Sequence, residues 1–252
     1  MTQRDDRGEP RLFEDDAARA GYVRSMFGEI SGRYDVMNTI ITGGRHGAWR
    51  RATARALVRP GDTVLDAGCG TGDLAFDCAA AGAAAVLGVD FAEPMLAVAR
   101  GKARSGRPSR LTAAVSFAAA DATRLPLADA SVDVWCAAFV LRNVPDLDAA
   151  LAEARRVLRP GGRLGVLEIT RVERGWLRPL ARFHFERVVP LLGRVITRHP
   201  SAYRYLPDSV DHFPAAAELS ERIEDAGFEG ASIRRFGLGT VALHVATRRG
   251  ES

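Results

Sequence analysis

Asp62-Thr-Val-Leu-Asp66-Ala-Gly68-Cys-Gly70-Thr71-Gly72-Asp73 combines a short apolar run, three alternating glycines and an acid on either side of them. Asp62 to Asp66 reads as a compact buried strand and Asp73 to Ala81 as an Ala-rich helix, with the glycines forming the tight turn between them. Glycine suits that turn because it tolerates positive φ and lets a ligand approach the backbone. Downstream the alternation repeats: strands over Ala85–Asp90, Val115–Asp121, Val132–Leu141 and Arg163–Thr170, helices over Pro94–Ala103 and Leu147–Leu158. Strands alternating with helices of this length predict an α/β fold with a parallel, doubly wound sheet, helices on both faces and ligands at the carboxyl ends of the strands. A last helix over Ala215–Ala226, a stop at Gly227 and strands over Ala231–Phe236 and Thr240–Thr247 close the chain as an antiparallel hairpin at the sheet edge.

The 252 residues are 47% hydrophobic and 26% charged, which excludes disordered and fibrous classes. Residues 1–20 are charged and aperiodic and are expected to be mobile, followed by a single domain over 21–252. That domain begins with a helical cap over 21–57, and a largely helical insertion over about 175–212 is expected to close over the strand ends as a lid. Charged residues interrupt every apolar run and Met1–Glu9 is polar, so a cytoplasmic protein without a membrane span is expected. Cys69, Cys78 and Cys136 suggest neither a disulfide framework nor a zinc site and read as small buried residues. Of 35 basic residues only Lys102, on a surface helix, is lysine, and asparagine occurs only at 38 and 143. This is an Arg-rich compositional bias, so the net charge of +4 is not taken as a sign of a nucleic-acid partner.

The glycines run G-x-G-x-G, whereas the dinucleotide fingerprint is G-x-G-x-x-G, and the flanking acids would repel a pyrophosphate. An acid at 66 suits a cationic, amino-bearing ligand without phosphate, which describes S-adenosylmethionine. Asp90, closing the second strand, can accept both ribose hydroxyls, with Phe91 beside it. Asp121 and Ala122, closing the third, can pair with an adenine through carboxylate and backbone N–H. Any one of these acids alone reads as a strand-end or capping residue. Three at successive strand ends, with Gly68, Gly70, Thr71 and Gly72, resemble the Rossmann-like class I S-adenosylmethionine-dependent methyltransferases, which implies a mostly parallel seven-stranded sheet.

Tyr34-Asp-Val-Met-Asn38 with Gly44-Arg-His46-Gly-Ala-Trp49-Arg, then Leu141-Arg142-Asn143-Val144 and Arg156-Val-Leu-Arg-Pro160-Gly-Gly162, resemble signatures of the UbiE/COQ5 family of quinone C-methyltransferases. The likeness runs from about Val23 to Ala246. Ala138 and Val140 stand where many members have Ser and Gly, Ile169-Thr170 where they have Phe-Ser, and Gly44-Arg45 and Gly47-Ala48 also differ. Ala138 and Val140 bear on the acceptor because they end the fourth strand.

The resemblance implies methyl transfer to a ring carbon of a polyprenylated hydroquinone, most simply demethylmenaquinol, beside an ionised hydroxyl. Arg142 is expected to stabilise the oxyanion, Asn143 to fix the geometry, and Tyr34 and His46 to touch the quinol, with His46 or His212 as proton acceptor. Tyr203 belongs to the same group, Glu168 reads equally as pocket or packing, His244 as structural, and His184 and His199 have no motif support. Arg171–Arg198 carries seven Arg against two Glu among apolar residues. It fits either a peripheral contact with anionic lipid on the inner face of the cell membrane or a helix packed on the sheet or on a partner in a homodimer. Three other readings stay open here: a methyltransferase acting on a specialised-metabolite phenol or quinone, a non-catalytic assembly protein of quinone synthesis, and a nicotinamide-dependent oxidoreductase.

Overall fold

The computed structural model describes residues 21, 25–26, 28–29, 31–106, 113–172 and 209–250. The expectations for residues 1–20, for most of the lid and the Arg171–Arg198 face, and for His184, His199 and Tyr203 lie outside the described residues. Within them, α1 (Tyr34–Ile41) and α2 (His46–Leu57) precede β1 (Thr63–Ala67), α3 (Asp73–Ala80), β2 (Ala85–Asp90), α4 (Glu93–Arg104), β3 (Ala114–Ala119) and β4 (Val132–Ala138). A 3-10 turn at Leu141–Asn143 leads to α5 (Leu147–Val157), β5 (Leu158–Ile169), α6 (Ala216–Asp225), β6 (Phe228–Phe236) and β7 (Val241–Arg248).

The seven strands form one sheet in the order β3-β2-β1-β4-β5-β7-β6. Neighbours from β3 to β5 pair parallel, whereas β7 runs antiparallel to both β5 and β6. Strand order reverses between β1 and β4, so the crevice at their carboxyl ends is where such a sheet receives a ligand. The terminal hairpin lies at the sheet edge as expected: β7 pairs with β5 on one side and with β6 on the other, so that β6 is the outer strand. His244 accordingly lies on an interior strand, buried, with Nε2 2.8 Å from the Ala216 carbonyl, and burial lowers its pKa. Its role is structural.

Three boundaries differ from the sequence expectation for identifiable reasons. β4 ends at Ala138 rather than Leu141 because Phe139 turns the chain at φ 60° and Leu141–Asn143 wind into a 3-10 turn. β5 begins at Leu158, ahead of Arg163, with the Arg159-Pro-Gly-Gly162 stretch absorbed by a register shift against Val132 and Val134. β6 begins at Phe228, directly after the expected Gly227 stop, which takes φ 93°.

Period-two alternation explains how the two faces of the sheet are packed. Leu65 and Trp135 face α5 and α6 with Leu151, Leu158, Leu219 and Phe228, while Val64, Val134 and Cys136 face α2 and α3 with Leu57, Leu74 and Cys78. All three cysteines are buried free thiols. α2 approaches the sheet closely over Gly165, where an added β-carbon would meet Leu57 Cδ1 at 2.1 Å. Gly165→Ala is therefore expected to destabilise the fold by about 1–3 kcal/mol through overpacking, read as a lower urea midpoint at unchanged slope. An unchanged midpoint would show that α2 is not seated in that gap.

Candidate functional site

The glycine turn after β1 is built by backbone conformation. Gly68, Gly70 and Gly72 have φ of 67°, 53° and 84°, the left-handed region that favours glycine. A β-carbon on Gly68 would lie 2.2 Å from Val140 Cγ2, and one on Gly72 2.7 Å from the Phe117 ring, so two of the glycines are required by packing. Gly70 is different: its nearest neighbour would be Tyr34 Cε1 at 3.9 Å, so the turn is open to a ligand beneath the Tyr34 ring. Val140, expected to face an acceptor, thus packs on the glycine turn.

Asp90 ties the ends of β1 and β2 together, its carboxylate accepting from Gly70 N and Ala92 N, both at 2.8 Å. Burial raises its pKa against the lowering effect of the Ala92, Gly70 and Phe91 N–H groups. Asp66 is more extreme. It is 1% exposed, and its Oδ2 has no hydrogen-bond partner. Burial pushes its carboxyl well above the usual carboxylate range, with only partial relief from the Ala75 N–H. A buried acid with an orphaned oxygen is costly in isolation and well matched to a cationic ligand. Asp121 lies at the rim, exposed, with Oδ1 accepting from Thr123 N at 2.8 Å and Thr123 Oγ1 at 2.7 Å. Ala122, Phe91 and Ala138 are half-buried around the same strand ends.

A second group sits at the ends of β4 and β5. The left-handed turn at Phe139, strained for a non-glycine residue, aims its carbonyl at the side chains that follow. That carbonyl accepts from Arg142 Nη1 at 2.7 Å and from Asn143 Nδ2 at 3.5 Å. Arg142 Nη1 also pairs with Glu168 Oε1 at 2.6 Å, and both side chains are nearly inaccessible to water. Glu168 Oε1 further accepts from Ile169 N at 2.8 Å. Asn143 is 4% exposed, and its Oδ1 is buried without a partner. Tyr34 joins the two groups. Burial raises the pKa of its phenol, a hydrogen bond to Asn38 and the charge of Arg142 lower it, and Asp90 and Glu168 raise it.

A third cluster, not anticipated as a unit, lies on the α1 side of the turn. Thr71 Oγ1 donates to Asp35 Oδ1 at 2.7 Å, and Lys102 Nζ reaches Asp35, Thr71 and Asp73. Arg50 Nη2 meets the other oxygen of Asp73 at 2.8 Å. Thr71 is thereby committed to the cap. His46 belongs with this cluster rather than with Arg142: its Nδ1 is 2.9 Å from Thr42 Oγ1, and burial, then Arg50, lower its pKa. His212 is exposed. Of the expected acceptor-side residues the structure brings together Tyr34, Arg142, Asn143 and Glu168, and places His46 with the cluster on the α1 side.

No helix among the described residues is long and apolar enough to cross a membrane. Among solved structures the fold resembles the [4+2]-cyclase SpnF, with a TM-score of 0.68 at 20% identity over 92% of this chain and 97% of that one. It also resembles a SAM-dependent methyltransferase from Thermotoga maritima, with a TM-score of 0.63 at 20% identity over 89% and 99%. A cyclase and a methyltransferase on one scaffold show that fold alone does not settle chemistry. Sequence relatives are nearer. A demethylmenaquinone methyltransferase of Roseiflexus sp. (strain RS-1) is 40% identical over 92% of this chain and 95% of its own, and one of Thermus thermophilus 42% over 88% and 100%. A ubiquinone/menaquinone biosynthesis C-methyltransferase of Acidiphilium cryptum is 40% identical over 90% of each. With the model of the ubiE/COQ5 methyltransferase family matching residues 15–248, the chain belongs to that family.

Proposed function

We propose that this chain methylates a ring carbon of a prenylated hydroquinone, converting demethylmenaquinol to menaquinol with S-adenosylmethionine as donor. The observation that carries the reading is the buried Arg142–Glu168 pair placed beside Tyr34 and the open glycine turn, in a chain whose relatives from Roseiflexus and Thermus are named for this activity. Bound S-adenosylmethionine supplies an electrophilic methyl group and a positive charge. Asp66 supplies the buried acceptor for the ligand's cationic end, Gly68, Gly70 and Gly72 its floor, and Asp90 and Phe91 the ribose side. Asp121, Ala122 and Ala138 complete the cradle at the neighbouring strand ends.

Aromatic carbon becomes nucleophilic once the adjacent hydroxyl ionises. Moving a phenol from ~10 to ~7 requires about 4 kcal/mol of differential stabilisation. A guanidinium in a water-poor pocket can contribute on that scale. Arg142 acts by its charge and donors, not as a base. Glu168 holds the guanidinium in place and offsets part of its charge, so orientation matters as much as sign. Tyr34, kept protonated by burial, is a donor toward a quinol oxygen, and the orphaned Oδ1 of Asn143 is an acceptor for a hydroxyl. Cells lacking this protein are expected to accumulate the demethylated quinone and to lose the methylated one in a quinone profile. An unchanged profile would exclude the proposal.

A further inference from the structure

Lys102 is the one lysine among 35 basic residues, and its ammonium faces three acceptors that belong to three different parts of the chain. Nζ lies 2.6 Å from Asp35 Oδ2 on α1, 3.0 Å from Thr71 Oγ1 in the glycine turn and 2.7 Å from Asp73 Oδ1 at the start of α3. Asp73 in turn holds Arg50 of α2 at 2.8 Å, and Thr71 donates to the second oxygen of Asp35 at 2.7 Å. Four helices are thus linked through one charge cluster centred on a side chain that is 24% exposed.

An ammonium presents three N–H donors from one point, which matches three converging acceptors, whereas a planar guanidinium spreads its donors along a fork. That difference gives a physical reason for a lysine at this position in a chain that otherwise uses arginine. The consequence concerns the cap. Asp35 follows Tyr34, whose ring covers Gly70, so the contact that holds Asp35 also holds Tyr34 over the turn.

We propose that Lys102 is a positioning residue that latches α1 onto the glycine turn, so that closure of the cap and retention of the methyl donor are coupled. The inference rests on the reading of that turn as the donor site. Isolated exposed ion pairs contribute little, but one cation shared by three partners between α1 and the glycine turn can couple the two, and coupling of that kind changes affinity several-fold.

Titration of the full-length protein with S-adenosylhomocysteine tests it without any quinol. Lys102→Met is expected to weaken binding about five- to tenfold, with Lys102→Arg intermediate because charge returns without the three-way geometry. Tryptic cleavage after the exposed Arg45, between α1 and α2, is expected to be faster in Lys102→Met and to be slowed less by the ligand than in the wild type. In methyl-transfer assays the loss should fall on KM for the donor more than on kcat. Asp35→Asn, which removes only the α1 side of the latch, should reproduce these effects and carries the test if Lys102→Met does not fold. Wild-type affinity and wild-type cleavage in a folded variant would overturn the latch, as would a lower Tm with unchanged affinity. A wild-type protein that binds no S-adenosylhomocysteine would instead overturn the donor-site reading.

Discussion

Arg142→Ala is expected to lower kcat for methyl transfer by about 10²–10³ while the dissociation constant for S-adenosylhomocysteine stays close to that of the wild type. The split follows from position. Arg142 stands in the turn after β4, joined to Glu168 at 2.6 Å and to the Phe139 carbonyl at 2.7 Å, whereas the carboxylates of the donor cradle, Asp66 and Asp90, come from the ends of β1 and β2. Removing the guanidinium also strands Glu168, a carboxylate that is 1% exposed, and breaking a buried pair from one side costs about 3–5 kcal/mol. Lower stability is therefore expected alongside lower turnover. Arg142→Lys separates the two effects: a cation remains beside Glu168, so folding should be largely kept, while the planar fork is lost and kcat should still fall about tenfold or more. Equal losses in turnover and donor affinity would place Arg142 in the donor site rather than at the acceptor.

The second large effect is expected at Asp66, and its sign is unusual. The folded protein holds the Asp66 proton to a higher pH than the unfolded chain does, because burial disfavours the ionised form. Across that window the native state binds more protons, so this residue's contribution to stability declines as pH rises through it. Asp66→Asn removes the ionisable group and should stabilise the apoprotein at neutral pH, with a Tm higher by about 2–4 °C and a flatter stability profile toward acid. Donor affinity should move the other way, weakening at least about tenfold with loss of a charged acceptor for the cationic ligand. In the wild type, donor binding should weaken as pH is lowered, with proton release visible by calorimetry in buffers of different ionisation enthalpy. A variant that is both less stable and unchanged in affinity would show that Asp66 serves the fold alone.

The contrast between these residues and Lys102 shows what the sequence could and could not convey. β1, its glycine turn and the acids at 66 and 90 are legible because strand, turn and helix are local patterns, and each acid sits at a fixed offset from a strand end. The place of β7 between β5 and β6 is not local, since the hairpin pattern says that two strands pair but not which of them meets the parallel part of the sheet. Phe139 is also not legible: nothing in Ala137-Ala-Phe-Val marks a left-handed phenylalanine, and the apolar run carries the expected strand on to Leu141. The motif around Arg142 marks it in the sequence, but its pairing with Glu168 depends on the register of β4 against β5. Lys102 and Asp35 are not legible as partners, because helical periodicity says which residues face outward and not what lies opposite them. The signal was present as composition, a solitary lysine in an Arg-rich chain, but only three-dimensional placement gives it meaning.

Transfer of a labelled methyl group by the purified protein to a reduced prenylated naphthoquinol, with the label located in the product by NMR, tests the central claim most directly. The label is expected on the ring carbon adjacent to a hydroxyl, at a rate that depends on Arg142. Label on oxygen, or no transfer to any prenylated quinol, would contradict it.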